Sequence, residues 1–165
     1  MKWITEYFIN KALKKASERQ SQKKKQLLGK IKKIGIIAPS LVEMQDTREL
    51  IKSELGPHVE ISGLFYGEDT DAKEAFSHRD FSGSARPREK ITKFIANKSD
   101  VIIASSENMD IFSLYLLYLN PEPYSIGFYQ ESHKNFLDLM LANDGGKPNE
   151  NMEHLIRYLK QVILQ

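Results

Sequence analysis

The chain has 165 residues, of which 41% are hydrophobic and 28% are charged, a size and composition typical of a single domain with one hydrophobic core. It contains no cysteine, which excludes disulfides, thiolate metal sites, iron–sulfur clusters and a cysteine nucleophile, and suits the reducing cytoplasm where we expect the protein. No segment approaches the roughly 18 to 20 continuous apolar residues of a transmembrane helix, because the richest run, residues 111–119, is too short. Glu6 and Asn10 interrupt the apolar character of residues 1–13, so we do not interpret this segment as a secretion signal.

Charge is distributed unevenly along the chain, although the net charge is only +2. Residues 1–33 hold eleven Lys or Arg against Glu6 and Glu18, a net of +9, so the remainder holds thirteen against twenty, a net of −7. We therefore divide the chain into a basic arm, residues 1–32, and a domain, residues 33–165. Such an asymmetry suggests an acidic partner for the arm, either RNA or an anionic membrane. The arm could also fold back on its own acidic domain.

The arm begins with an amphipathic helix over residues 3–16, in which apolar residues recur at steps of three and four. Residues 17–25 lose this apolar stripe, which indicates a solvated helical stem or a flexible link. The side chains that we expect to bind RNA or another anionic surface are basic: Lys11, Lys14, Lys15, Arg19, Lys23, Lys24, Lys25 and Lys30. Those that we expect to face a partner or a membrane are apolar: Trp3, Ile4, Tyr7 and Phe8.

Aliphatic runs and helical patterns alternate through the rest of the chain. Short aliphatic runs predict four buried strands, at residues 33–38, 59–66, 100–104 and 124–129. Apolar spacing of three and four predicts helices at residues 41–55, 88–98, 110–119, 136–141 and 150–164. This pattern predicts an α/β fold, a three-layer Rossmann-like sheet of four or five mainly parallel strands behind the basic helical arm. The polar connection 67–87, with a short extended piece around residues 75–81, is long enough to be either functional or disordered.

Ligands of such a sheet bind at the carboxyl ends of its strands, where the chain order reverses. Polar side chains follow the predicted strands there, and they define a candidate pocket: Ser40, Ser105, Ser106, Glu107 and Gln130. No glycine-rich phosphate-binding turn follows any strand, and Glu43 and Asp46 near the first helix start would repel a phosphate. We therefore predict no cofactor.

Histidine gives no convincing catalytic or metal site. His133 lies beside Glu131 and Ser132, but neighbours in sequence rarely converge on one reacting atom. The triplet that begins at His78 matches a kinase catalytic loop only by chance, because the other kinase motifs are absent. The four histidines contain no pair at metal-ligand spacing, so we predict no metal.

Several segments together resemble one known family. After the basic helix come Lys-Lys-Ile-Gly-Ile-Ile, a Phe-containing segment at 76–83, Ser-Asp-Val-Ile-Ile, Tyr-Ser-Ile-Gly-Phe and Asn-Phe-Leu-Asp-Leu-Met-Leu. This arrangement resembles a family of small α/β proteins of Bacteroidota to which no function is assigned, so it implies the fold over nearly the whole chain and no activity. Residues 99–128 are also similar to the N-terminal half of heptosyltransferase-like glycosyltransferases. Those enzymes bind the nucleotide sugar in a second domain for which this chain has no room, so this likeness implies shared architecture without shared chemistry.

The sequence therefore favours a non-catalytic binding or adaptor protein whose basic helix docks on an acidic macromolecular surface. RNA or the ribosome is the favoured partner, and an anionic membrane or a protein partner is the alternative. The alternative function is a nucleotide- or sugar-nucleotide-binding enzyme that uses the candidate pocket.

Overall fold

A computed structural model describes residues 2–18, 29–143 and 145–163 of the chain. The helices are α1 (Lys2–Glu18), α2 (Leu41–Leu55), α3 (Glu89–Ala96), α4 (Ile111–Leu119) and α5 (Pro148–Ile163). The strands are β1 (Lys33–Ala38), β2 (Glu60–Tyr66), β3 (Ala75–Phe76), β4 (Val101–Ala104), β5 (Tyr124–Phe128) and β6 (Leu139–Leu141). Within the described ranges, none of these helices is both long and apolar enough to span a membrane.

The strands form one parallel sheet in the order β3-β2-β1-β4-β5-β6. This is the strand order of a doubly wound, Rossmann-like fold, so the predicted parallel α/β architecture is confirmed. The sheet has six strands among the described residues, where four or five were predicted. The additional strands, β3 and β6, have only two and three residues. β3 lies in the extended piece expected around residues 75–81, whereas β6 lies where a helix was predicted.

The predicted helix at residues 136–141 is wrong. A short 3-10 turn occupies Glu131–His133 instead, and Leu139 to Leu141 pair with β5 as an edge strand. The Asp138 carboxylate accepts hydrogen bonds from the backbone N–H and the hydroxyl of Ser125, at 2.8 and 3.1 Å. These contacts hold the segment against β5, so tertiary pairing overrides its local helical pattern.

Local capping explains where the helices begin and end. The Ser40 hydroxyl accepts a hydrogen bond from the backbone N–H of Glu43 and so caps α2. The helix ends at Gly56, which has a φ of 99° that disfavours other residues. In the same way the Asp110 carboxylate accepts from the Ser113 N–H and starts α4 directly after the β4 loop.

Two apolar clusters, one on each face of the sheet, make up the core. One contains buried residues of α1, α3 and α4, such as Ile9, Phe94 and Leu116. The other contains buried residues of α2 and α5, such as Met44 and Leu155. The helices therefore cover both faces of the sheet, as a three-layer fold requires.

The long connection between β2 and α3 packs into the first of these clusters. It contains β3 and a 3-10 turn at His78–Asp80, and it buries Phe76, Phe81 and Ala85. The hydroxyl of Tyr115 on α4 donates a 2.8 Å hydrogen bond to the carbonyl oxygen of Ala85. This connection and α4 together form the surface on which α1 lies.

Candidate functional site

One face of α1 is packed on its own domain, and this inner face differs from the predicted apolar stripe. Thr5 and Ile9 are buried, with Ile9 at 0% exposure, and Ala12 and Leu13 are partly buried in the cluster that contains α4. The Thr5 hydroxyl donates a 3.3 Å hydrogen bond to the carbonyl oxygen of Ser82 in the long connection. The predicted contact residues include neither Thr5 nor Ile9, although Ile9 is fully buried.

An ion pair at the start of α1 adds to this packing. The Lys2 ammonium group contacts the Glu68 carboxylate just beyond β2, and the Tyr66 hydroxyl donates a hydrogen bond to the same carboxylate. The contact with Glu68 raises the pKa of Lys2, while Lys2 and then Tyr66 lower the pKa of Glu68. Burial, with the neighbouring Glu68 charge, raises the pKa of Tyr66. This ion pair therefore holds the start of α1 near the carboxyl ends of the strands.

Sequence reasoning missed this cluster. The sequence does indicate part of this cluster, because Tyr66 ends the predicted strand 59–66 and Glu68 follows two residues later. Nothing in the sequence connects them with Lys2, since that contact depends on where α1 docks.

The opposite side of α1, which we call the outer face, carries exposed aromatic and basic side chains. Trp3 is 71% exposed, Tyr7 is 59% exposed and Phe8 is 39% exposed, whereas Ile4 is half-buried. The rings of Tyr7 and Phe8 meet edge to face with centroids 5.4 Å apart. The apolar residues of α1 are therefore divided between two faces, because the aromatic rings face away from the domain whereas Ala12 and Leu13 pack on it.

The basic residues predicted to bind an anionic surface are exposed where the structure describes them. Lys11, Lys14 and Lys15 are exposed one to two turns after the aromatic residues, and Lys30 is exposed near the start of β1. Arg19, Lys23, Lys24 and Lys25 lie outside the described residues. We define the outer face of α1 as Trp3, Ile4, Tyr7, Phe8, Lys11, Lys14 and Lys15.

The predicted pocket lies at the switch point between β1 and β4, where the chain order of the sheet reverses. The Ser105 hydroxyl is buried there without a hydrogen-bond partner, close to Glu43 and Asp46. The cavity that these residues line has a volume of only about 20 Å³. A nucleotide needs a cavity of several hundred Å³, so this crevice would have to open before it could hold one.

The remaining pocket residues are used locally or lie apart. Ser40 caps α2, and the Ser106 hydroxyl accepts from the Asn108 N–H at 3.2 Å. The Glu107 carboxylate accepts from the side-chain amide of Asn151 at 3.2 Å, which ties the crevice to the start of α5. Gln130 is exposed beyond β5.

The electrostatics of the crevice oppose an anionic ligand. Burial raises the pKa of Glu43, and the carboxylates of Glu107 and Asp46 raise it further, against the Ser40 hydrogen bond that lowers it. Three carboxylates thus repel one another around the N-terminus of α2, the position where many related folds bind phosphate. Across the described ranges, no group of three His, Asp or Glu side chains is placed to hold a metal ion.

His133 connects two loops rather than joining a catalytic group. It is completely buried, its Nε2 accepts a 3.1 Å hydrogen bond from the Met109 N–H, and its Nδ1 lies 3.1 Å from the Phe128 carbonyl oxygen. Because Nε2 accepts, the proton is on Nδ1, which donates to Phe128. Burial lowers the pKa of His133, so the ring is held in its neutral form. Neither Glu131 nor Ser132 takes part in these bonds.

The fold and the site define a small Rossmann-like α/β protein with a basic helix docked on one face of its sheet and a closed, acidic switch-point crevice. The chain belongs to a family of unknown function (DUF6913), whose profile matches residues 5–162. The match includes most of α1, so this helix is part of the family's common region. No curated protein matches the chain.

Proposed function

We propose that this protein is a non-catalytic binding protein whose basic N-terminal helix docks on an acidic macromolecular surface. The observation that carries the proposal is the division of α1 into two faces. The inner face is occupied by the protein's own core, so it is not available to a partner. The outer face presents Lys11, Lys14 and Lys15 beside exposed aromatic rings.

The charge distribution supports docking through the basic arm, to which α1 belongs. The net charge of −7 on residues 34–165 keeps the domain away from polyanions, whereas the net charge of +9 on residues 1–33 attracts them. The protein should therefore approach an acidic surface with the basic arm in front, and within α1 the outer face carries exposed lysines that could meet it. The absence of cysteine agrees with an action in the reducing cytoplasm.

The test is sedimentation of the full chain with ribosomes and with anionic vesicles, each at low and high salt. If lysine contacts dominate, binding to the acidic partner weakens steeply as salt rises, because neutralised anionic groups release counterions. Removal of residues 1–33 would be a poor test, since it would expose the cluster that α1 covers. Charge reversal at exposed positions leaves that core intact.

The matched comparison uses two triple variants. One carries Lys11→Glu, Lys14→Glu and Lys15→Glu on the outer face. The control carries Lys52→Glu, Lys147→Glu and Lys160→Glu, which change the net charge equally but at exposed sites in or beside α2 and α5, across the sheet from α1. We expect the first variant to lose binding and the control to retain most of it. Equal losses in both would refute a docking role for α1.

A second candidate function is a nucleotide- or sugar-nucleotide-binding enzyme that uses the switch-point crevice. The specific observation in its favour is the buried Ser105 hydroxyl, which has no hydrogen-bond partner. The carboxylates of Glu43, Asp46 and Glu107 count against it. A nucleotide that raises the melting temperature of the protein, but not that of a Ser105→Ala variant, would support this function. No shift with a broad nucleotide panel would exclude it.

A further inference from the structure

The outer face of α1 is a continuous surface, and the geometry of the helix explains why. An α-helix turns about 100° per residue, so the seven residues of this face fall within an arc of about 140°. Ile9 lies on the opposite side of the helix and is fully buried. The described part of the domain therefore covers the inner face of α1, and the outer face is directed away from it.

The first two turns of the outer face are apolar. Trp3 and Tyr7 are mostly exposed, and Phe8 and Ile4 lie beside them. A contiguous patch of this kind marks an interaction site, in contrast to apolar residues scattered singly over a surface. Trp and Tyr favour the boundary between water and lipid, because each combines an apolar ring with a polar group that can stay hydrated.

The following turns of the same face are cationic. Lys11, Lys14 and Lys15 span about 6 Å of helix rise directly after the apolar patch. Exposed lysines beside an apolar patch can bind lipid phosphates while the aromatic rings insert. Apolar insertion and lysine contacts thus act on one anionic bilayer at the same time.

We propose, as a deepening of the proposed function on which this inference rests, that the outer face of α1 docks on the surface of an anionic lipid bilayer. Its aromatic end enters the interface and its lysines bind the headgroup phosphates. The acidic domain is repelled by the same headgroups and stays in the water phase, so contact is limited to the basic arm.

RNA, which the sequence alone favours, fits the exposed surface less well. Ile4 gains nothing from base stacking, and the Phe8 ring is already engaged edge to face by Tyr7. On the outer face itself, three lysines within about 6 Å of helix rise can contact only a few phosphates of one strand, so this face alone would bind RNA weakly at physiological salt. Lipid headgroups are mobile and can gather around so compact a group of charges.

The test uses Trp3, the single tryptophan of the chain, as an internal probe. The full-length protein is mixed with vesicles of phosphatidylcholine alone, with vesicles that contain phosphatidylglycerol, and with single-stranded RNA. We expect a blue shift of the Trp3 emission only with the anionic vesicles, and quenching of that emission when the lipid acyl chains carry bromine. Stacking of Trp3 on RNA bases would quench the emission without any effect of brominated lipid.

Variants separate the two contributions. Tyr7→Ala keeps the probe and should weaken vesicle binding about tenfold, whereas Tyr158→Ala, at a similarly exposed tyrosine of α5, should leave it unchanged. Reversal of Lys11, Lys14 and Lys15 to Glu should weaken binding at least about a hundredfold, since each lysine near an anionic membrane contributes about fivefold. Circular dichroism confirms that each variant is folded.

The outcomes distinguish this inference from the proposed function. Lipid-dependent emission changes that require both the lysines and Tyr7 support it. Lysine-dependent binding to RNA without binding to anionic vesicles overturns the lipid inference and leaves the proposed function intact. Binding to neither overturns both.

Discussion

The docking of α1 on its own domain predicts a large difference between two apolar residues of the same helix. Ile9 is fully buried among residues of α4 and the long connection, whereas Trp3 is 71% exposed on the outer face. Replacing Ile9 with Ala removes three carbon atoms from a packed cluster. The transfer free energy is about 0.8 kcal/mol for each, and the cavity that remains adds to it, so we expect a loss of about 2 to 4 kcal/mol.

For a protein of this size, such a loss lowers the melting temperature by about 5 to 12 °C. The control, Trp3→Ala, removes a larger side chain from the surface and should change stability by less than about 0.5 kcal/mol. Urea unfolding followed by circular dichroism measures both variants. If Ile9→Ala costs no more than Trp3→Ala, then α1 is not packed on the domain and the division into two faces is wrong.

Two further predictions concern the core of the sheet. Because burial lowers the pKa of His133 below its ordinary value of 6.5, the unfolded chain binds more protons in acid, so the free energy of unfolding should fall as the pH drops from 8 to 5. Urea unfolding at both pH values should show this fall in the wild type and in the control His154→Gln, whose histidine is exposed. The fall should be clearly smaller in His133→Gln. An unchanged pH dependence in His133→Gln would show that His133 does not cause it. Gly127→Ala places a Cβ 2.8 Å from Leu137 Cδ1 and 3.2 Å from the Ala104 carbonyl oxygen, which should cost about 1 to 3 kcal/mol in a thermal melt. A loss below about 0.5 kcal/mol would mean that β5 and its neighbours can move apart freely.

Local sequence patterns predict much of the fold. The strands β1, β2, β4 and β5 are aliphatic runs bounded by polar or turn-forming residues, and their predicted bounds agree with the structure to within one residue. Because these runs are largely apolar and do not alternate regularly between apolar and polar residues, the sequence predicts a parallel sheet covered by helices on both faces. Helix α2 was predicted with its observed bounds, because Ser40 caps its start and Gly56 ends it.

The two edge strands, β3 and β6, depend on pairing in the tertiary structure. Leu139 to Leu141 lie in a segment with helical spacing, and they become a strand only because β5 offers them a hydrogen-bonding partner and Asp138 binds Ser125. The sequence indicates an extended piece around residues 75–81, but only the pairing with β2 shows that two of these residues form the strand β3. Strand pairing joins distant parts of the chain, and a local pattern does not contain it.

The candidate site shows the same division between local pattern and tertiary structure. The sequence alone determined that the N-terminal segment is a basic helix with apolar positions, because charge and periodicity are properties of the chain. Only the tertiary structure decided that Ile9 faces the domain and Trp3 faces away, since both are large and apolar and the choice depends on the shape of the surface that α4 and the long connection offer. The ion pair between Lys2 and Glu68 supports this orientation, and it joins residues that are far apart in the sequence and close only in the folded protein.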